Sequence, residues 1–135
     1  MASPLSKYMH HFKGMRKGTP MRYGLLNEVV KTYKPKLFVE TGTWRGDRAI
    51  QLATAAFEVG DEFTYVGFDL FEDASTENDA KELNTKKHYD LKFVKDRLES
   101  FRGDCLMKGK KFDYSLFKGN TNETLEERSY AFRLA

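Results

Sequence analysis

Residues 37–46 read L-F-V-E-T-G-T-W-R-G, and a helical pattern over 47–58 follows at once. A short apolar run that closes on an acid and then sets two glycines four residues apart describes a strand turning sharply into a helix whose first amides face a ligand. Gly42 lets the chain turn tightly and lets a ligand approach the backbone, while Gly46 lets the helix start lie close to the strand. The unbroken Leu37, Phe38, Val39 run is the kind buried on both faces in a parallel sheet.

The flanking pattern extends this unit in both directions. Upstream, Leu25, Leu26, Val29 and Val30 fall at helical spacing over 23–33, and Lys34-Pro35 ends that helix. Downstream, Ile50, Leu52, Ala53, Ala56 and Phe57 form a helical face that Gly60 stops. Residues 63–70, F-T-Y-V-G-F-D-L, read as a second strand that again ends on an acid, Asp69, so the two strands and their helix make a right-handed βαβ unit. The polar stretch 71–89 is expected to be a long loop with one helical turn near 80–83. Asp90 caps a helix carrying Leu91, Val94, Leu98 and Phe101, which Gly103 helps to end. Residues 112–118 read as a third strand, and 124–132 has helical character with room for a short strand at 130–134. The alternation predicts an α/β fold, a Rossmann-like doubly wound parallel sheet that is incomplete, with about three to four strands and flanking helices.

A chain of 135 residues is one domain by size. It is 40% hydrophobic and 32% charged, and no apolar stretch approaches the roughly 20 residues that span a bilayer. The N-terminal region lacks a continuous apolar segment of the secretory kind. The single cysteine, Cys105, cannot form an internal disulfide, which with these features predicts a reducing cytosol. The net charge of +3 is unevenly spread: residues 1–36 hold eight Lys or Arg and one acid, Glu28. Residues 1–21 therefore read as a basic N-terminal arm and 22–135 as the α/β domain. Tyr8, His10, His11, Phe12 and Tyr23 lie among these charges, so the arm could meet nucleic acid or an anionic ligand, although a solvated tail is the favoured reading.

Ligands of open parallel sheets bind outside the carboxyl ends of the strands, which here carry an acid or a glycine each. The glycines do not follow the G-x-G-x-x-G spacing of dinucleotide enzymes. Glu40 beside the turn would disfavour a doubly anionic pyrophosphate and suit a ligand carrying an ammonium and a sulfonium, as S-adenosylmethionine does. Asp69 follows Gly42 by 27 residues and has the chemistry to accept both ribose hydroxyls.

On these residues the chain resembles the class I S-adenosylmethionine-dependent methyltransferases. More narrowly, V-E-T-G-T-W-R-G, F-D-L-F-E and K-G-N-T-N-E-T-L are similar to the macrocin O-methyltransferase-like group, which includes short relatives encoded by phages. The resemblance covers about residues 22–127. It implies that the turn carrying Glu40, Gly42, Thr43, Trp44 and Gly46 holds the methionine end of S-adenosylmethionine. It further implies that Asp69 with Leu70 meets the ribose, that Gly119, Asn120 and Thr121 lie near the adenine, and that the reaction is O-methyl transfer to an unidentified small molecule. The family's domain has seven strands, the fourth bringing catalytic or metal-binding acids. Residues 128–135, R-S-Y-A-F-R-L-A, stand at that place without the expected apolar run ending in acids, so no catalytic residue and no metal site is carried over.

A competing expectation is a non-catalytic cofactor-binding or oligomerising module, truncated or completed by another chain. An open strand edge near 112–118 or 130–134 would favour a homo-oligomer. The plainer readings of the remaining residues are structural. Trp44 covers a core edge beside its turn, His10, His11 and His88 lack metal-site spacing, and Cys105 fills space after its helix. His88 is also a candidate base within its loop.

Overall fold

The three apolar runs lie side by side in one all-parallel sheet. The computed structural model describes residues 21–82 and 87–133, so nearly all of the basic arm, with Tyr8, His10, His11 and Phe12, lies outside the described residues. The order is α1 (Met21–Tyr33), β1 (Leu37–Thr41), α2 (Asp47–Ala56), β2 (Glu62–Asp69), a 3-10 turn (Phe71–Asp73), α3 (Thr76–Glu82), α4 (Leu91–Met107), β3 (Lys111–Lys118) and α5 (Thr121–Arg133). Helices and strands alternate as expected for an α/β fold.

Spatial order follows chain order, β1-β2-β3, with Phe38 opposite Tyr65 and Tyr65 opposite Tyr114. Sequential strands with right-handed crossovers place α2 and α4 over the same face of the sheet. A reversal of strand order would need a strand beyond β1, and none pairs there among the described residues.

The core lies under that shared face. Because strand side chains alternate, Phe63 and Tyr65 of β2 and Phe112 of β3 point the same way, and all three are buried. Against them pack Val30 of α1, the alanine-rich side of α2 with Leu52, and Val94, Leu98 and Cys105 of α4. The small residues Ala49, Ala53 and Ala56 let α2 approach the sheet closely. Each large side chain sealed here contributes about 1.5–3 kcal/mol of hydrophobic stabilisation. The opposite face is thinner. α5 packs against β2 there, and buried Phe68 stacks on Phe117 at 5.1 Å between ring centres. Val39, on the same side by register with Val66, stays 38% exposed.

Three elements differ from the sequence reading. α4 runs through Gly103 to Met107 because its apolar stripe continues to Cys105, four residues beyond Phe101. The chain turns out of the helix at Gly109, in the left-handed region at φ 72°, where the amides of Gly109 and Lys110 close on the carbonyls of Leu106 and Cys105. The polar stretch after β2 holds the 3-10 turn and α3, which carries Glu77 and Asp79 in its first turn instead of an apolar stripe. Finally, α5 is helical through Arg133, so residues 130–133 form no strand; residue 134 lies outside the described set.

Gly46 fixes how closely α2 meets α4. It stands at φ 82° as the cap of α2, and a Cβ there would lie 3.2 Å from Leu98 Cδ2 and 3.4 Å from Val94 Cγ1. Gly46→Ala is expected to cost about 1–3 kcal/mol in urea unfolding, combining left-handed strain with pressure on α4. Gly42→Ala, at φ 84° with nothing within 4 Å of the added carbon, should cost only about 1–2 kcal/mol. A Gly46→Ala protein as stable as wild type would contradict this packing.

Candidate functional site

A cleft of about 280 Å³ opens where the carboxyl ends of all three strands meet. Thr41 and Gly42 come from the end of β1, Phe68, Asp69 and Leu70 from β2, and Gly119, Asn120 and Thr121 from the β3–α5 loop. β2, the central strand, holds the two flanking loops. The Gly42 amide donates to the Phe68 carbonyl at 2.7 Å, and the Gly119 amide donates to the Asp69 carbonyl at 3.0 Å.

The Asp69 side chain binds the same end together. Its Oδ2 accepts the Trp44 amide at 2.8 Å and its Oδ1 accepts the Phe71 amide at 3.1 Å. Trp44 and Phe71 both have left-handed backbones, with φ 52° and 51°. For bulky residues that conformation is strained, at about 1–3 kcal/mol each. Of the three non-glycine residues with positive φ, Lys34, Trp44 and Phe71, the two at this end of the sheet are the ones whose amides the carboxylate accepts. Each carboxylate oxygen retains capacity for a further hydrogen bond, since an ionised carboxyl offers about four acceptor sites.

The third loop has its own constraints. Asn120 caps α5, with its Oδ1 accepting the Asn122 amide at 2.9 Å. Gly119 is at φ 141°, and a Cβ there would meet Thr124 Cγ2 at 2.8 Å, so no larger residue fits without a shift. Glu72 links this end to α4: one oxygen accepts the Leu91 amide at 2.8 Å, the other meets Lys118 at 2.9 Å, and these contacts hold its carboxyl down at about 2.

Trp44 faces the 87–90 segment. Its indole Nε1 donates to the Lys87 carbonyl at 2.7 Å, and its ring meets Tyr89 edge-on at 5.9 Å, with the Arg45 guanidinium 5.0 Å from its centre. His88 in the same segment is 2.6 Å from Asp79 of α3, joining α3 to that segment. Behind the turn, Arg97 donates to the Arg45 carbonyl at 2.9 Å and pairs with Asp47. Burial resists ionisation of Asp47, but the Arg97 hydrogen bond and charge outweigh it and keep the carboxyl below its usual range.

Glu40 does not line the cleft. It shares its side of the sheet with Phe38, and its Oε1 accepts the Tyr65 hydroxyl at 2.7 Å. Burial pushes its carboxyl up to about 7, against the opposing effects of Tyr65 and Arg48. Near neutral pH Glu40 is therefore not the fixed negative charge that would keep a pyrophosphate away.

Of the residues singled out from sequence, Gly42, Asp69, Leu70, Gly119, Asn120 and Thr121 line one cleft. Thr43, 2% exposed, Trp44 and Gly46 shape the turn from behind or beside it, and Glu40 sits beneath. Sequence reasoning missed Thr41 and Phe68 as lining residues and Tyr65 as the partner of Glu40. Gly67 was the available signal, because a glycine inside a buried strand marks a close approach. Among the described residues no group of three His, Cys, Asp or Glu is placed to hold a metal ion, and no helix is long and apolar enough to cross a membrane. No family model, curated protein or solved structure matches this chain.

The raised Glu40 value makes a signed prediction. The native state holds this proton up to about pH 7, while an unperturbed carboxyl releases it near 4.5. Glu40 therefore favours the fold most at low pH, and its contribution falls as pH rises through that window. In melting curves followed by circular dichroism, the Tm of Glu40→Gln relative to wild type should increase from pH ~5 to pH ~8. A constant difference would contradict the burial of a protonated carboxyl.

Proposed function

We propose that this chain is the cofactor-binding half of an S-adenosylmethionine-dependent methyltransferase acting on the hydroxyl of a small molecule. The observation that carries the reading is the convergence of Gly42, Asp69 and Gly119 at the ends of three parallel strands, on one cleft. Gly42 offers open space where any other residue would place a Cβ, so a ligand can lie against its backbone. Asp69 retains acceptor capacity for a ribose diol while holding the Trp44 and Phe71 amides. The loop of Gly119, Asn120 and Thr121 closes the far side, where an adenine would lie. These residues fit a nucleoside of this kind.

When bound, the cofactor supplies a methyl group on a sulfonium, open to attack by the acceptor's oxygen. The chain's part is to orient: Asp69 fixes the sugar, and the turn 42–46 fixes the methionine end. Buried, unpaired Cys105 fits a reducing cytosol. A second reading, a module that binds cofactor and is completed by another chain, is favoured by the sheet itself. Both outer strands, β1 and β3, have one unpaired edge among the described residues, and Val39 is exposed on β1. A homo-oligomer is the form of completion proposed. The acceptor remains unidentified, and nucleic acid contacts by the basic arm are not favoured.

Calorimetric titration with S-adenosylmethionine and S-adenosylhomocysteine, with NAD as control, tests the cofactor directly. Both sulfur ligands should bind, NAD should not, and Gly42→Val should abolish binding while the far-ultraviolet spectrum is retained. Binding of NAD alone would overturn the reading. Sedimentation of the same samples should show self-association, and monomer at every concentration would count against completion by a second copy.

A further inference from the structure

Tyr65 lies in the middle of β2, wholly buried, with its ring stacked on Phe38 at 6.4 Å. Its hydroxyl donates to Glu40 Oε1 at 2.7 Å and lies 3.3 Å from Thr43 Oγ1. A hydroxyl carries one proton, so with that proton directed to Glu40, Thr43 is the donor to Tyr65. The hydrogen bonds run Thr43 to Tyr65 to Glu40, joining the buried residue of the turn to the penultimate residue of β1.

The tyrosine reaches that far because residue 67 has no side chain. Residues 65 and 67 share one face of β2, and the Tyr65 ring leans over Gly67 toward the strand end. A Cβ on Gly67 would lie 2.4 Å from Thr43 Oγ1, 2.8 Å from Tyr65 Cε1 and 3.0 Å from the Tyr65 hydroxyl. Gly67 has no left-handed φ to explain it, unlike Gly42 and Gly46. Its glycine therefore provides room, and what occupies the room is this hydrogen-bonded chain.

We infer that Tyr65 is a positioning residue for the strand-end turn: reaching across Gly67, it braces Thr43 and Glu40 so that the turn's shape follows the proton on Glu40. The charged and titratable groups facing Glu40 are Tyr65 and Asp69 of β2 and Arg48 and Asp47 of α2; Asp47 is in turn paired with Arg97 of α4. Tyr65 and Arg48 favour the ionised form, and the two aspartates oppose it. On ionisation the Tyr65 bond becomes charge-assisted, which shortens and strengthens it and draws on Thr43. Trp44 follows Thr43 in the chain and is the only tryptophan, so its emission reports the turn. Relevance to ligand binding rests on the proposed cofactor reading; the response of the free protein does not.

The test is a Trp44 emission titration of ligand-free protein from about pH 5 to about pH 9. The proteins compared are wild type, Glu40→Gln, Tyr65→Phe, Thr43→Val and His88→Gln. The last is needed because His88 adjoins Lys87, whose carbonyl accepts the Trp44 indole. Wild type should show a step that His88→Gln keeps and Glu40→Gln lacks. Tyr65→Phe should move its midpoint up by about half a pH unit, because a hydrogen bond favouring the carboxylate is gone. Thr43→Val should reduce its amplitude. A step that persists in Glu40→Gln overturns the inference, and so does a Tyr65→Phe midpoint that stays in place while only the Tm falls. At pH ~8, Tyr65→Phe should bind S-adenosylhomocysteine about tenfold more weakly. If the titrations behave as described while wild type binds no sulfur ligand, the brace stands and the cofactor reading falls.

Discussion

Two backbone amides converge on the carboxylate of Asp69, and the shape of the strand-end surface depends on them. Trp44 belongs to the β1–α2 turn and Phe71 to the 3-10 turn that follows β2. Both have a backbone that bulky residues avoid. Without the shared acceptor, each would leave a buried or half-buried donor unpaired and keep its strain, a combined effect of several kcal/mol. One acid therefore fixes two turns, and the main-chain carbonyls of Phe68 and Asp69 fix Gly42 and Gly119 beside it. Asp69 is accordingly an organiser of the cleft as well as a candidate ligand group, and loss of binding on its removal would report both roles together.

From this end the constraints spread outward. The Trp44 ring holds the carbonyl of Lys87, placing the segment that leads to the α4 cap, where the Asp90 side chain accepts the Phe93 amide at 2.7 Å. α4 in turn packs Val94 and Leu98 against Gly46 and sends Arg97 to the back of the turn. Beneath, the chain from Thr43 through Tyr65 to Glu40 ties the turn to β1. The turn is therefore held from the front by Asp69, from behind by α4 and from below by Tyr65. Such support is what a preorganised binding loop needs, because each degree of freedom removed beforehand is not lost on binding.

The parallel sheet was legible because buried parallel strands leave unbroken apolar runs, and because an acid or glycine marks each strand end. The glycine turn was legible for the same reason. Less visible was which side of the sheet each end residue faces. Glu40 and Thr41 are neighbours in sequence but alternate in space, so the acid that reads as part of the ligand wall lies under the turn. The true end of α4 was obscured by Gly103, an interior glycine overridden by packing at Cys105, and α3 has no apolar periodicity to reveal it. Tyr65 carried no motif at all, and only Gly67 hinted that a side chain crosses β2.

Amide hydrogen exchange in wild type and Asp69→Ala measures the central interaction most directly. The account predicts that the Trp44 and Phe71 amides lose protection together in the variant, while Gly42 and Gly119, held by main-chain carbonyls, stay slow. Unchanged protection at Trp44 and Phe71, or loss at only one of them, would contradict a single carboxylate organising both turns.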